Sequence, residues 1–320
     1  MHYYISDLHF GHASILKLCN RPFSSVQEMD ETLIKNWNER VKGNDVVYIL
    51  GDLSWDKSKA PLYLSRLKGK KILLRGNHDA AWEEGGEAYF KGVYSYLETF
   101  ADGHPLTLSH YPMLEWRGSR KTGSKKLGYH IFGHIHNKTD ECYRPVFIAY
   151  HALNAGADIN GFRPVSFAEL EANNERFKLS ALKSPVDRAY LLASKYHALQ
   201  FDKSGEPYIY HPLAVASRVS SEEEKTVALL HDTLEDTAID PALLERFFSP
   251  AVVAAVRLLT RPEDEDYFDY VRRVGKNPLA RAVKLADLSH NSDMSRLKTV
   301  TEWDLRRLEK YKKARAILEE

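Results

Sequence analysis

The pattern of apolar residues changes once along the chain and divides it into two halves of different architecture. Short apolar runs typical of strands recur up to about residue 170, with helical patterns between the early ones. From Pro185 onward only helical periodicity is found, and proline or aspartate opens several segments. We therefore predict two domains, an α/β sandwich of layered sheets flanked by helices over residues 1–175 and an all-α domain over residues 185–320.

The strand-type runs also suggest how the first domain is layered. The runs are HYYIS, DVVYIL, KKILLR, PLTLS, YHIFG and FIAYHALNAG. Between the early runs, SSVQEMDETLIKNWNERVKG has a serine cap, early acidic residues and apolar residues at helical spacing. From about residue 100 the runs are joined by loops, which predicts a second, antiparallel-rich sheet.

Charge and cysteine content narrow the functional classes. The chain holds 45 Lys and Arg against 44 Asp and Glu, a formal net charge of +1. This balance argues against a general nucleic-acid binder or a membrane-surface binder and leaves room only for a local basic cleft. We find no signal-peptide pattern and no apolar run approaching the ~18 residues of a spanning helix. We interpret Cys19 and Cys142 as two buried or idle thiols in a reducing compartment, and together with the preceding observation we expect a cytoplasmic, soluble protein.

Metal-type side chains follow strand-type runs five times in the first half of the chain. The segments are ISDLHFGH, YILGDLS, LLRGNHD, LSHYP and IFGHIHN. A single histidine is more often a hydrogen-bonded core residue than a ligand, but five sets beside glycines or turns indicate a site. Ligands bind at the carboxyl ends of strands in α/β folds. Alternation along a strand would also place Asp7 and His9 on one side, and likewise His134 and His136.

These five segments, in this order, resemble the signature of the calcineurin-like metallophosphoesterases over residues 1 to about 170. The resemblance implies a two-metal site in which Asp52 bridges both cations. The remaining ligands it implies are Asp7, His9 and His136 for one metal, and Asn77, His110 and His134 for the other. Mixed nitrogen and oxygen ligands suit Mn, Fe, Co, Ni or Zn better than Mg or Ca. Two such metals clamp a phosphoryl group and generate hydroxide at neutral pH.

Four further residues of this half are candidates for chemistry or for substrate contact. His78 would protonate the leaving oxygen or stabilise the transition state, with Asp79 orienting its ring. His12 and Arg21 follow the first strand and are candidates to bind a phosphate. For these last two residues, plain surface polarity is an equal alternative.

The stretch LLHDTLEDT, residues 229–237, has the apolar residues of a buried helix and four ionisable ones. On a continuous helix His231 would lie over Glu235, and Asp232 over Asp236. A cation would compensate carboxylates on a half-buried face, which are otherwise costly. We predict two further ligands, His211, which precedes a helix start at Pro212, and Asp287, which lies on a late helix. Together with His231 and Asp232 they provide two nitrogen and two oxygen ligands. The alternative is a helix with exposed acids and a histidine in the core. It would explain the His-Asp pair by itself, but not all of these residues together.

The second half resembles the HD-domain phosphohydrolases of the RelA/SpoT type over about residues 186–315. The segments that carry the resemblance are SGEPYIYHPLAVA, ALLHDTLEDT and VKLADLSHN. It implies one metal, usually Mn²⁺, and hydrolysis at a phosphate or pyrophosphate on a nucleotide ribose. Glu235 and Asp236 would orient or deprotonate the attacking water. Lys203 and Asn291 are candidate substrate contacts, and Tyr208 is either a contact or core.

Two positions depart from the pattern of that family. Asp202 stands where the family has a base-stacking arginine, and Leu288 stands where a late motif has another. Arginine is not replaceable in stacking or in bidentate phosphate contact. The departures weaken the case for guanosine tetraphosphate as the substrate and leave the hydrolase chemistry intact. We see no synthetase segment and expect no alarmone synthesis.

Together the two halves predict a bifunctional metal-dependent phosphohydrolase acting on a small nucleotide or an RNA end. The halves would act in sequence, the first opening a phosphodiester, such as a 2′,3′-cyclic one, and the second removing the remaining phosphate. Alternatively they act independently, the second on an alarmone-like nucleotide or on a 2′-phosphate such as that of NADPH. A nucleotide sensor without turnover is the non-enzymatic alternative. The oligomeric state stays open.

Overall fold

The computed structural model describes residues 1–79, 87–120, 127–296 and 301–320, which form two compact units. The first unit ends at Ala181 and the second begins at Leu182. A helix over Phe167–Ala181 closes the first unit, so this unit extends beyond residue 175. The α/β class of the first unit and the helical class of the second agree with the prediction.

The first unit contains two four-stranded sheets. The first sheet consists, in spatial order, of β1 (His2–Ile5), β2 (Val46–Ile49), β3 (Lys70–Leu74) and β4 (Phe90–Tyr94), and all of its pairs are parallel. The second consists of β5 (Tyr96–Ala101), β6 (His104–Ser109), β7 (Tyr129–Phe132) and β8 (Ala152–Asn154). The helices of the first unit are α1 (Ile15–Leu18), α2 (Val26–Arg40), α3 (Ala60–Arg66), α4 (Arg144–Ile148) and α5 (Phe167–Ala181).

Alternation along the strands of the first sheet sends side chains into two separate cores. On β1, Tyr3 and Ile5 pack into a core with α2, whose Met29 and Trp37 are fully buried. Tyr4 points the other way, into a core shared with the second sheet. This is the pattern of a sheet covered on both faces, and it explains why its strands are almost entirely apolar.

Two expectations about the second sheet were wrong. Only β5 and β6 pair antiparallel, while β6–β7 and β7–β8 are parallel, so the sheet is not antiparallel-rich. The run FIAYHALNAG is not one strand, because Phe147 and Ile148 belong to α4 and only Ala152–Asn154 pairs with β7. Apolar runs do not distinguish a buried helix turn from a strand, and Pro145 sits in the first turn of α4, where proline is tolerated.

The described part of the second unit is mainly helical, with one isolated bridge between Phe201 and Pro207. Its helices are α6 (Pro185–Tyr196), α7 (Tyr210–Ala216), α8 (Glu222–Leu230), α9 (Thr233–Asp236), α10 (Pro241–Phe247), α11 (Pro250–Leu259), α12 (Tyr267–Gly275), α13 (Pro278–Asn291) and α14 (Glu302–Glu319). Ser184 caps α6 and Ser221 closes a capping box on α8. No described helix has the length and apolar character needed to cross a membrane.

The continuous helix predicted over residues 229–237 is broken in the structure. Helix α8 ends at Leu230, and α9 begins at Thr233 after a turn formed by His231 and Asp232. The two polar residues therefore occupy the junction of two helices. His231 and Glu235 are therefore not on one helix, whereas Asp232 and Asp236 keep the i, i+4 relation, because the N–H of Asp236 donates to the carbonyl of Asp232 at 2.9 Å.

His130, on β7, is a buried titratable group outside any motif. Its Nε2 accepts the backbone N–H of Met113 at 3.2 Å, and its Nδ1 lies 3.0 Å from the carbonyl of Thr107. Burial lowers the pKa of His130 to about 4, and the nearby carbonyls only partly offset this effect. The folded protein therefore holds this ring neutral.

We expect His130 to make the first unit sensitive to acid. Between pH 6.5 and 4 the unfolded chain binds a proton at this histidine and the folded chain does not. The free energy of unfolding therefore falls as the pH falls, by at most about 3 kcal/mol. The His130→Gln variant, which keeps a donor and an acceptor but does not titrate, should show a correspondingly shallower slope. The measurement is the free energy of unfolding in urea across this pH range. Equal slopes in both proteins would contradict the assignment.

Candidate functional site

Five of the predicted ligands in the first unit have left-handed backbone conformations. The φ angles are 56° for Asp7, 52° for His9, 54° for Asp52, 71° for His134 and 52° for His136. All five lie beyond the ends of β1, β2 or β7, so strand alternation, which the sequence suggested, does not orient them. Such conformations cost roughly 1–2 kcal/mol per non-glycine residue and cluster at functional sites.

Buried carboxylates hold these loops in place. The Asp7 carboxylate accepts the backbone N–H of His134 at 3.0 and 3.1 Å. Asp79 accepts the N–H groups of Asp52 at 2.7 Å and Leu53 at 3.1 Å. Asp79 therefore shapes the loop that carries Asp52, and the predicted contact with the ring of His78 is not among its hydrogen bonds.

Two glycines let the loops approach the carboxylates closely. A Cβ atom at Gly76 would overlap Oδ1 of Asp52, and one at Gly133 would overlap Ser6 Oγ and lie 2.7 Å from Oδ2 of Asp7. Any side chain at these positions would displace a candidate ligand.

The structure brings the predicted ligands of the first unit into overlapping groups. One group is Asp7, His9 and His136; a second is Asp52, His110 and His134; a third joins His9, Asp52 and His78. Within each group the ligand atoms lie within 4.8 Å of one another. Asn77 joins the second group, because its Oδ1 lies 3.1 Å from both His110 Nε2 and His134 Nδ1.

Asp52 connects the groups. Its Oδ2 lies 3.6 Å from His9 Nε2 and 3.5 Å from His110 Nε2. These two histidines belong to different groups, and Asp52 is buried between them. A carboxylate in this position is suited to bridging two cations.

One atom in this cluster lacks a protein partner. Nε2 of His9 is fully buried and makes no hydrogen bond, although buried polar atoms are normally paired. It faces the Asp52 carboxylate across 3.6 Å, a separation too long for a hydrogen bond. An unpaired imidazole nitrogen beside convergent carboxylates fits a transition-metal ligand, so the residues suit the ions that the resemblance implies.

Asp158, which sequence reasoning missed, orients one of the ligands. Its Oδ2 lies 2.8 Å from Nδ1 of His136. Burial by itself lowers the pKa of His136, but the hydrogen bond to Asp158 and the Asp7 charge outweigh it and raise that pKa to about 10. The available signal was that Asp158 follows β8, one of the strands with no predicted ligand after it. Cys19 is buried, as expected for one of the two thiols, and lies in the same group as His136 and Asp158.

Arg21 does not face a substrate. Its guanidinium is buried and bonds both oxygens of Asp158, at 2.8 and 3.0 Å, and the backbone carbonyls of Leu8 and Asp7. The prediction of a phosphate contact is therefore wrong for Arg21. Its role is to fix Asp158, which in turn holds His136.

The Asp158→Asn variant should bind metal 10–100-fold more weakly, because hydrogen-bond partners of metal ligands contribute effects of this size. Isothermal titration of the metal-free protein with Mn²⁺ measures it. Asp102→Asn, which alters a partly exposed carboxylate bonded to Tyr4 in the same unit, is the matched control. An unchanged affinity in Asp158→Asn would show that His136 does not depend on this contact.

His78 and His12 lie at the edge of the cluster. Nε2 of His78 is 4.0 Å from Oδ2 of Asp52, and its side chain is 34 % exposed. Its backbone N–H donates to Asp52 Oδ1 at 2.9 Å. Nδ1 of His12 is 3.3 Å from Nδ1 of His9, and the ring of His12 stacks on Trp55. The ring of His78 is therefore partly open to solvent beside the cluster, whereas His12 is buried, so plain surface polarity does not describe it.

A second cluster lies in the second unit. Nε2 of His211 lies 3.3 Å from His231 Nε2, 3.4 Å from Asp232 Oδ2 and 3.3 Å from Asp287 Oδ1. Nε2 of His231 is 3.0 Å from Asp232 Oδ2. The four predicted ligands thus converge from α7, the α8–α9 junction and α13.

Surrounding contacts orient both histidines of this cluster. Nδ1 of His231 lies 2.8 Å from the carbonyl of Ala228, so it carries the proton and leaves Nε2 available as a ligand. Nδ1 of His211 lies 2.8 Å from Nδ1 of His290, a buried histidine that the sequence did not single out. Burial lowers the pKa of His211, but hydrogen bonds to Asp232 and Asp287 dominate and raise it to about 9.

Only one acid of the Glu235–Asp236 pair is connected to the cluster. Tyr208 donates to Asp232 Oδ2 at 2.6 Å and approaches Asp236 Oδ2 at 3.4 Å. Partial desolvation and the charge of Asp232 raise the pKa of Asp236. Glu235 instead accepts the backbone N–H of Arg261 at 2.9 Å. The break between α8 and α9 explains the difference, because His231 and Glu235 are not one turn apart on the same helix.

The predicted substrate contacts of this unit line a cavity of about 340 Å³ beside the cluster. The amide of Asn291 donates to Asp287, and Lys203 lies over the ring of Trp303 at 3.5 Å. Asp202 lines the cavity, but its carboxylate accepts the N–H groups of Ser204 and Glu206 and so organises its own loop. Leu288 is buried in the interior. Arg307, from α14, contributes a cation that sequence reasoning did not identify.

Comparisons with known proteins agree with this geometry in the first unit. The family model described as "Calcineurin-like phosphoesterase" matches residues 3–138. An uncharacterized protein of Methanocaldococcus jannaschii is 39% identical over 168 residues, which are 51% of this chain and 85% of that protein. With the clustered ligands, these matches define a metal-dependent phosphoester hydrolase. The chain belongs, through its first unit, to the calcineurin-like phosphoesterase family.

Other matches concern the downstream region. A protein named GTP pyrophosphokinase from Streptomyces coelicolor is 32% identical over 163 residues, which are 47% of this chain. Those residues are 18% of that protein, so the chain spans about a fifth of its length. This match indicates an HD-type helical domain after the phosphoesterase domain. A solved structure titled "A metazoan ortholog of SpoT hydrolyzes ppGpp and plays a role in starvation responses" aligns at 23% identity and a TM-score of 0.37, over 43% of this chain and 86% of that one.

Proposed function

We propose that the protein is a bifunctional phosphohydrolase of nucleotide phosphodiesters and phosphomonoesters, with a two-metal site in the first unit and a one-metal site in the second. The observation that carries the first part is Asp52, whose Oδ2 lies within 3.6 Å of histidines from two ligand groups. The second part is supported by the two imidazoles and two carboxylates around His211.

The donor sets indicate which ions would bind. In the first unit they are nitrogen and oxygen atoms of histidine, aspartate and Asn77, which suit Mn, Fe, Co, Ni or Zn. In the second unit two histidines and two aspartates suit a single Mn-like ion. Bound there, such ions would polarise the phosphoryl oxygens and lower the pKa of water.

Side chains around the first cluster have separate tasks. If Nε2 of His9 is a ligand, its Nδ1–H donates to Nδ1 of His12, which leaves the Nε2–H of His12 for a phosphate oxygen. His78, partly exposed and held by its backbone bond to Asp52, is placed to give a proton to the leaving oxygen.

In the second unit we assign proton transfer from the attacking water to Asp236. Its raised pKa suits a general base, and the contact with Tyr208 orients its carboxylate. Gln200 fixes the same residue by donating to its backbone carbonyl at 2.7 Å. We expect Lys203, Asn291 and Arg307 to meet the phosphates of a nucleotide in the adjoining cavity.

The substrate that we expect for this chemistry is a small nucleotide or an RNA end. The names of the relatives make an alarmone-like nucleotide a candidate for the second unit, and the cavity cations support it. The carboxylate at position 202 argues for a base contact different from an arginine stack. The free cysteines support a cytoplasmic location.

A screen of phosphate release and diester cleavage tests the proposal. The metal-free protein is incubated with Mn²⁺, Co²⁺, Ni²⁺ or Zn²⁺ and with nucleotides, cyclic nucleotides and dinucleotides. We expect turnover of at least one diester and one monoester. Tight nucleotide binding without turnover under every metal would favour the sensor instead.

A further inference from the structure

Two half-exposed aromatic side chains border the first cluster. Trp55 is 49% exposed and Tyr111 is 50% exposed. Large aromatic groups left in water are ordinary when scattered over a surface, but Tyr111 contacts two candidate ligands and Trp55 contacts His12 and His78 at the edge of the cluster. Their position therefore calls for an explanation that involves the substrate.

The two rings contact different ligand groups. Trp55 stacks on His12 with ring centroids 3.9 Å apart and 11° between the planes, and it lies 5.0 Å from the ring of His78. Tyr111 meets the rings of His134 at 4.7 Å and His110 at 5.0 Å, both edge to face. His78 and the pair His110–His134 share only Asp52 as a common group member. One aromatic ring therefore lies beside each of these two groups.

Both rings stand on fixed backbone. The N–H of Trp55 donates to the carbonyl of Phe10 at 3.0 Å, next to the buried Ser54, whose hydroxyl bonds the same carbonyl. The carbonyl of Tyr111 accepts the hydroxyl of Ser109 at 2.8 Å. A rigid ring that is already partly dehydrated by a neighbouring imidazole loses little entropy when it stacks on a ligand.

We propose that Trp55 and Tyr111 each stack on a nucleobase, so that the first unit cleaves a linear phosphodiester with a base on both sides, as in single-stranded oligonucleotides. The inference rests on the proposed hydrolase function and specifies its substrate. Aromatic side chains hold unpaired bases in this way, and each contact contributes about 1–3 kcal/mol. A cyclic mononucleotide has one base and would use only one ring.

The reaction is a balanced hydrolysis. The oxygen of water forms a new bond to phosphorus, and the bond from phosphorus to one nucleoside oxygen breaks. That leaving oxygen receives a proton from His78, and the protons of water restore His78 and pass to solvent. The products are a nucleoside or shortened strand and a nucleotide with a terminal monoester.

Four substrates separate the contributions of the two rings. They are a dinucleoside monophosphate, adenosine 3′-(methyl phosphate), adenosine 5′-(methyl phosphate) and ethyl methyl phosphate, which has no base. Diester loss is followed by chromatography, and only the rate that disappears in Asp52→Asn is compared. Trp55→Phe and Tyr111→Phe keep a ring and serve as matched controls for Trp55→Ala and Tyr111→Ala.

We expect each alanine variant to lower kcat/KM for the dinucleoside monophosphate about tenfold, the fold-change of one stacking contact. Trp55→Ala should slow one methyl ester and Tyr111→Ala the other, while the base-free ester changes in neither. An equal loss on the base-free ester would reveal a merely structural role and overturn the inference. So would a wild-type protein that cleaves the base-free ester as fast as the dinucleotide.

Fluorescence provides a reading that does not depend on turnover. Binding of the dinucleoside monophosphate should quench tryptophan emission in the wild type and much less in Trp55→Phe. Quenching without hydrolysis under any metal would refute the hydrolase function and keep the base contact. Hydrolysis of diesters with equal quenching in both proteins would refute the base contact and keep the hydrolase.

Discussion

The Asp52→Asn variant should lower kcat/KM of the diesterase activity by about 1000-fold, the order that one transition-state-stabilising group contributes. Oδ2 of Asp52 lies within 3.6 Å of histidines from both ligand groups. An amide at this position presents one neutral oxygen, so it cannot neutralise and connect two cations. Steady-state cleavage of the best diester from the screen measures the effect.

The second unit supplies the matched control for this experiment. Asp232→Asn removes a carboxylate 3.0 Å from His231 Nε2 and should abolish the monoesterase activity while the diesterase stays. Asp52→Asn should show the reverse. Loss of both activities in either variant would mean that the two units do not act as separate sites. Retention of diester cleavage in Asp52→Asn would remove the two-metal assignment.

The Asp236→Asn variant should lower kcat of the second unit by 100-fold or more, the usual contribution of a general base. Metal affinity should change little, because Asp236 lies beside the four ligands and is not one of them. Its adjacent acid provides the control: Glu235→Gln alters a side chain bonded to the Arg261 backbone and should keep kcat within about threefold. Initial rates and Mn²⁺ titrations of both variants measure the two quantities.

The opposite ranking would contradict the structural assignment. If Glu235→Gln lost kcat and Asp236→Asn did not, the break between α8 and α9 would not separate the two acids functionally. The continuous helix expected from the sequence would then describe the working state better. If kcat and metal affinity fell together in Asp236→Asn, the result would indicate that Asp236 is itself a metal ligand.

Residue type and order along the chain are enough to predict which residues belong to each site. They do not predict the backbone conformations that position these residues. Asp7 and His9 were assigned to one side of a strand, yet both lie past the end of β1 with φ near 55°. Apolar periodicity carries no information on such loop conformations. The same limit produced the unbroken helix over residues 229–237, where a two-residue turn leaves the apolar spacing almost unchanged.

Residues that act through others were the harder class to predict. Arg21 was assigned to the substrate because a cation after a strand is suited to phosphate, but it is enclosed with Asp158, which lies 137 residues further along the chain. No local pattern reports a partner at that separation. Asp158, His290 and Arg307 were missed for the same reason, since each acquires its role only through tertiary packing.

The left-handed backbones of Asp7, His9, Asp52, His134 and His136 have a consequence for metal exchange. Their loops are tied by Asp7 and Asp79 through bonds to backbone amides, so the donors are arranged independently of any ion. Binding of an ion at these donors would then require little rearrangement of the chain. If such ions bind there, we expect the rates at which Mn, Co, Ni and Zn enter to follow the ease with which each ion sheds its water.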